Sequence, residues 1–403
     1  MITETQQIVM DLLGQTLFSV PFDSENYNRI DWAAVLKEAR RQTVIPTAAE
    51  AVPKSAPEEI RLEWIREVYD YEADGYRVRL GHRIIDKILS ENFIPYVILK
   101  GAASGMYYPA MYQRCYGDVD FLIPPERKEE AIALLEKEGF IRGKELPYEI
   151  DLQKDGIDYD LHIAVNGIPD GECGNSVRHC LSDTLQTAQE YCLDGEVIKV
   201  PDEFHHGMVL LLHTAAHMTG FGAGLRQLCD WAAFVSHMGE RFGEIFEKEL
   251  RAAGLWRFAQ VMTASCTRYL HMESCSWALE AENETRLTEE FMEELLRKGG
   301  LAHDGNDDMD SVLIRNPDDG EIGSGGFLVQ GIHNLASKVK YQWPITNKYG
   351  FLVPFGINLM CIRYFYGVLL GKYKKVNLKD TFAKAGKRRQ FYDELGLFRN
   401  SGK

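Results

Sequence analysis

The stretch that decides the fold is "YGDVDFLI", residues 116–123, in which Asp118 and Asp120 alternate with Val119 and Phe121. Side chains along a strand point alternately to its two faces. The segment therefore reads as a strand with two carboxylates on one face and an apolar core on the other. Two carboxylates held this close repel each other unless a cation lies between them. Hard oxygen ligands suit Mg²⁺ or Mn²⁺, and Mg²⁺ is commonly bound by one or two carboxylates together with substrate phosphates.

A second stretch repeats the pattern. In "IDYDLHI", residues 157–163, Asp158, Asp160 and His162 alternate with Ile157, Tyr159, Leu161 and Ile163. If this strand lies beside the first, Asp160 completes a three-carboxylate metal cluster with Asp118 and Asp120, and His162 shares its face.

Upstream, "VILKGAASGMYYPAMYQRCYGDVDFLI" runs from a strand through Lys100 and Gly101 into a short helix beginning at Ala102, then reaches Arg114 and Gly117. A glycine at a strand-to-helix turn lets a phosphate approach backbone amides. Lys100 and Arg114 are candidates to offset phosphate charge. The plainer alternative is a tight turn flanked by two surface cations.

The rest of the chain is organised around this unit. Residues 1–90 read as helical, with Asp31 as an N-cap and Pro57 in the first turn of a long helix. Residues 91–200 read as strand, short helix, strand, helix and a hairpin turning at Lys154-Asp155-Gly156. Residues 201–300 return to helix, where "FHHGMVLLLHTAAHM" and "GLRQLCDWAAFVSHM" pair through a glycine-rich turn. Residues 301–403 combine an acidic loop, "HDGNDDMDSVLIRNPDDGEIGSGG", with a last helical segment and a basic tail. After Gly371 that tail carries ten basic and three acidic residues.

With 403 residues and a formal net charge of −15, the chain is long enough for two or three domains and unsuited to whole-surface binding of nucleic acid. Its eight cysteines form no C-x-x-C pair and suggest neither a zinc site nor a disulfide framework. The opening "MITETQQIVMDLL" lacks a basic region followed by an apolar one, so the expected compartment is the cytoplasm. The apolar window "FLVPFGINLMCIRYFYGVLLG", residues 351–371, is interrupted by Pro354, Asn358 and Arg363. It is expected to be a buried amphipathic helix rather than a membrane span.

Together "LKG", "YYP", Arg114, "GDVDFLI" and "YDLHI" resemble the nucleotidyltransferases of the polymerase-beta superfamily, and within it the bacterial family of uncharacterised nucleotidyltransferases. "LLHTAAHM", "LRQLCDWAAF" and "WPITNKYGFLVPFGINLMCIRYF" look like later parts of that family, so the resemblance covers most of residues 30–370. It implies an α+β fold: a small mixed-sheet nucleotidyltransferase core flanked by N-terminal helices and a larger C-terminal helical domain. It implies Asp118 and Asp120 as the metal-binding pair, Asp160 as the third carboxylate and candidate base, and Gly101 as the helix-opening glycine. It also implies a reaction in which an acceptor attacks the α-phosphate of a nucleoside triphosphate and pyrophosphate leaves.

The sequence departs from the pattern at Gly101-Ala102, where many relatives have Gly-Ser or Gly-Gly, and in a longer gap before Asp118. A non-catalytic descendant that binds a nucleotide or a protein partner is the alternative this departure raises. The acceptor stays open, with a small molecule, a protein or a sugar carrier favoured over tRNA.

Other residues carry weaker signals. His213 and His217 are four apart on one helix, a metal-compatible spacing. They lack the glutamate of a hydrolytic zinc motif, so packing or substrate contact is expected. Arg226 and Asp230 form an i,i+4 pair, read as an intrahelical ion pair or, by the resemblance, as part of a substrate pocket.

Overall fold

The computed structural model describes residues 2–169, 171–219, 222–299, 327–343, 345–371 and 378–398. The fold is α+β. Helices α1 (Glu4–Phe18), α2 (Trp32–Arg41), α3 (Ile45–Ala49) and α4 (Glu58–Glu91) come first. The Asp31 carboxylate accepts from the Ala34 amide at 3.0 Å, which makes it the N-cap of α2 as its sequence position implies.

The sheet follows. Strands β1 (Val97–Ile98) and β2 (Val119–Leu122) flank the one-turn helix α5 (Ala102–Gly105). Helix α6 (Lys128–Lys137) leads to β3 (Ile141–Glu145), β4 (Glu149–Lys154) and β5 (Ile157–His162). The order across the sheet is β1-β2-β5-β4-β3, with β2 and β5 parallel and every other pair antiparallel. The predicted hairpin is β4–β5, turning at Asp155 and Gly156, both at positive φ.

Strand β3 was not anticipated. Its residues, Ile-Arg-Gly-Lys-Glu, are mostly exposed on both faces, so it has no alternating apolar signal. Helix α7 (Gly171–Cys180) and a second hairpin, β6 (Gln189–Leu193) with β7 (Glu196–Val200), were also unforeseen. That hairpin turns at Asp194-Gly195, again at positive φ.

One face of the five-stranded sheet is apolar. Val119, Phe121, Tyr159 and Leu161 pack against Val78, Ile85 and Leu89 of α4 and Ile132 and Leu135 of α6. Helix α4 crosses this face at Gly81, where an added Cβ would fall 2.9 Å from Val119 Cγ2. A larger core joins α1–α3 to the helices that follow: α8 (Glu203–Thr219), α9 (Leu225–Met238), α10 (Arg241–Ala253), α11 (Trp256–Leu270), α12 (Leu279–Glu282) and α13 (Thr285–Lys298). Trp64 of α4 belongs to this second core, so α4 reaches both.

The acidic segment expected to be a loop lies outside the described residues. Beyond it come α14 (Phe327–Gln342), α15 (Ile345–Lys348), α16 (Val353–Leu369) and α17 (Leu378–Glu394). The expectation of a buried helix over residues 351–371 is corrected. Only Gly356 and Gly367 of α16 are buried, because α14 packs against one side and no described residue covers the opposite one. Residues Gly350–Leu369 are the one stretch, among those described, long and apolar enough to cross a membrane.

Candidate active site

The polar face of the sheet carries the site. The β2–β5 register pairs Asp120 directly with Asp160, and the β4–β5 register pairs Asp160 with Asp151. Paired residues project to the same side, so three carboxylates stand in a row across three strands. One step along, the register sets Leu122, His162 and Glu149 side by side. This arrangement follows from the period-two alternation, since Val119, Phe121, Tyr159 and Leu161 are drawn into the core behind.

Asp120 is buried. Its Oδ1 lies 2.7 Å from Lys100 Nζ and 3.0 Å from His162 Nε2. Burial alone would raise its pKa, but the Lys100 charge and the His162 hydrogen bond hold it well below the usual carboxylate range. Asp118, two residues earlier, is raised by the Asp120 charge and then by burial, with Lys100 and Arg226 opposing. Burial, followed by the charges of Asp120, Asp118 and Glu149, pushes Asp160 up to about 8. Lys100 stays protonated, since Asp120 and Asp118 outweigh the cost of its burial. One lysine serves several acids, and the surplus negative charge shows in the raised Asp160.

Ligand atoms of Asp120, Asp160 and His162 all lie within 4.8 Å of one another. The donor set therefore fits a divalent cation, with two carboxylates and one imidazole. His162 Nδ1 is buried without a hydrogen bond and lies 3.6 Å from Glu149. Asp118 is not part of this compact group, although it lines the same cavity.

That cavity, about 90 Å³, is lined by Lys100, Gly101, Gly117, Asp118 and Asp120 from the sheet side. His213, His217, Arg226, Gln227, Asp230 and Arg114 close it from the helical side. It is smaller than a typical small-ligand pocket, and the Lys100 side chain is part of its lining. Asp160 and His162 sit one strand beyond the lining, and Ala102 is buried and not part of it. The amides of Ala103 to Met106 bond the carbonyls of Lys100, Gly101 and Ala102, so α5 has little free backbone.

Arg114 is not available to a phosphate. Its Nε and Nη2 donate to the two oxygens of Asp230, each at 2.9 Å, and Tyr108 donates to the same carboxylate at 2.8 Å. The pair is buried. The expected Arg226–Asp230 pair is thus replaced by Arg114–Asp230, because Arg114 reaches the carboxylate with two parallel hydrogen bonds. Arg226 makes no hydrogen bond or ion pair among the described residues. It leans toward Gly117, with Nη1 3.4 Å from where a Cβ there would stand.

His213 and His217 meet edge to face at 4.3 Å, and His213 Nδ1 lies 3.4 Å from Lys100 Nζ. Burial and the Lys100 charge hold His213 well below its usual pKa and bring His217 to about 4. Both are neutral at physiological pH, consistent with packing around the lysine.

Several residues escaped the sequence reading. Glu149 and Asp151 alternate with Ile150 and Leu152, a signal that would have found them. His82 gave no signal. It is fully buried under the Gly101 turn, with neither ring nitrogen hydrogen-bonded, and burial lowers its pKa to about 3. Gly101 has φ 63°, and a Cβ there would fall 2.7 Å from His82 Nε2. Only glycine fits this turn.

Residues 28–271, more than half of the chain, match the family described as uncharacterised nucleotidyltransferase. The chain belongs to that family. Asp118, Asp120 and Asp160 all fall inside the matched segment, and α14–α17 lie outside it. Among solved structures, the solution structure of the antibiotic-resistance factor ANT(2'')-Ia is similar at 16% identity. The match covers 52% of this chain and 97% of that one, with a TM-score of 0.31. No curated protein matches.

Proposed function

We propose that the protein transfers a nucleoside monophosphate from a nucleoside triphosphate to a hydroxyl-bearing acceptor at the Asp118–Asp120–Asp160 face. The observation that carries this reading is the direct register of Asp120 with Asp160 on adjacent parallel strands. Asp120, Asp160 and His162 would hold the divalent ion, with Asp118 at the cavity wall. A bound Mg²⁺ or Mn²⁺ supplies charge neutralisation for the triphosphate and polarises the phosphorus under attack.

The chain's own groups do the rest. Asp160, raised to about 8 by burial and its acidic neighbours in the metal-free protein, gives up its proton when the ion binds and is then free to accept the acceptor's hydroxyl proton. The acceptor oxygen forms its bond to the α-phosphorus, the bond to the bridging oxygen breaks, and pyrophosphate leaves. Arg226, rather than Arg114, meets the phosphate charge. Lys100 must leave Asp120 for the triphosphate to enter, and its ammonium then becomes a second phosphate partner.

The test is thermal stability of the full chain against each of the four nucleoside triphosphates with Mg²⁺ or Mn²⁺. A stabilising triphosphate, lost in Asp120→Asn, supports the reading. Failure of all four refutes it.

One observation favours a second reading, a non-catalytic protein: Lys100 already supplies Asp120 with a cation at 2.7 Å. Transfer of label from an α-phosphate-labelled triphosphate to any acceptor, with pyrophosphate release, would rule that reading out.

A further inference from the structure

Residues 322–379 contain no aspartate or glutamate and eight lysines and arginines, in a chain of net charge −15. Helix α16 lies within this acid-free stretch. Its Phe355, Leu359, Ile362, Tyr366 and Leu369 recur at intervals of four, three, four and three residues, which places them on one side of a helix. Each is between 53% and 82% exposed. The opposite side is held down, since Gly356 is buried against Val339 of α14 and Trp343. Lys348 precedes the stripe, and Lys372, Lys374 and Lys375 follow it in sequence.

We propose that this stripe docks on an anionic lipid bilayer, with α16 lying in the headgroup plane and Lys348 meeting a lipid phosphate. Apolar side chains on one side of a helix, within a stretch of sequence that carries lysines and no acid, are the features that anionic interfaces select. A second copy of the chain is a poorer partner. Self-association through this face would set two cationic, acid-free segments against each other. A full span is opposed by Arg363 and Asn358 within the helix and by the grip of α14 on its glycine side. The proposal is independent of the nucleotidyl chemistry.

The experiment is co-sedimentation of the full-length protein with vesicles of phosphatidylcholine alone or phosphatidylcholine mixed with phosphatidylglycerol. Binding is expected to the mixed vesicles only and should weaken with salt. Lys348→Gln should reduce it roughly fivefold at low salt. The double variant Phe355→Glu/Ile362→Glu should abolish it while keeping the parent's circular dichroism and thermal midpoint. Binding to neither vesicle, equal binding to both, or undiminished binding by the double variant overturns the proposal. So does a concentration-dependent dimer that Ile362→Glu dissociates, which would assign the stripe to a second copy.

Discussion

Lys100 sets its ammonium 2.7 Å from Asp120 Oδ1, at the carboxylate that the sheet register places beside Asp160. Under the proposed function the lysine stands where the divalent ion would bind. Entry of such an ion is therefore an exchange of one cation for another.

That exchange predicts the behaviour of Lys100→Met. With its partner gone, the buried Asp120 carboxylate should cost the apo protein about 3 kcal/mol. The variant should bind Mn²⁺ at least about tenfold more tightly than the parent, since like charge no longer competes. Isothermal titration with Mn²⁺ checks this, and equal affinities would place the metal elsewhere.

Asp160 predicts a pH dependence. Its folded pKa, about 8, lies above the ordinary carboxylate value. The stability it contributes is fully present below the unfolded pKa, near 4, and is lost as pH rises through 8. Asp160→Asn should therefore gain on the parent across that window, by up to about 1 kcal/mol per pH unit. Divalent binding, which expels the Asp160 proton, should tighten as pH climbs toward 8 and level off above it. Chemical denaturation and metal titration at stepped pH supply both readouts, and parallel curves for parent and variant would remove the assignment.

The Gly101 turn predicts a steric penalty. Gly101→Ala adds a methyl 2.7 Å from His82 Nε2 at a backbone φ of 63°. The loss should be about 1 to 3 kcal/mol. Combining it with His82→Ala should restore part of the packing component and none of the backbone strain. A thermal midpoint equal to the parent's would contradict the turn geometry.

Arg114 and Asp230 predict a structural phenotype. Asp230→Asn, which leaves the buried guanidinium underpaired, should cost about 3 to 5 kcal/mol. The double replacement Arg114→Met/Asp230→Leu should recover much of it. Denaturant midpoints of the two variants decide the matter, and a double replacement at least as destabilised as Asp230→Asn would show that the two side chains do not act as a pair.

Asp120 and Asp160, two of the three carboxylates in the row, were legible because strand alternation is a local property. Val119, Phe121, Tyr159 and Leu161 announce the core face, and Asp118, Asp120 and Asp160 take the other by default. The partnership of Arg114 was not legible. Asp230 lies 116 residues away in sequence, and the i,i+4 spacing pointed to Arg226 instead. His82 was hidden for the same reason, since its place under Gly101 depends on where α4 crosses the sheet. The outward face of α16 escaped because apolar composition reports affinity for a nonpolar surface and not whose surface it is.

Helix α4 runs unbroken for 34 residues, with Trp64 in one core and His82, Ile85 and Leu89 at the sheet. A continuous rod anchored at both ends resists bending. Widening of the cleft is thereby expected to involve the lysine side chain and the tip of α9 that bears Arg226 more than a swing of whole lobes. Under the proposed function, admission of a substrate would be a matter of one ammonium changing partners, at a cost set chiefly by the Lys100–Asp120 pair.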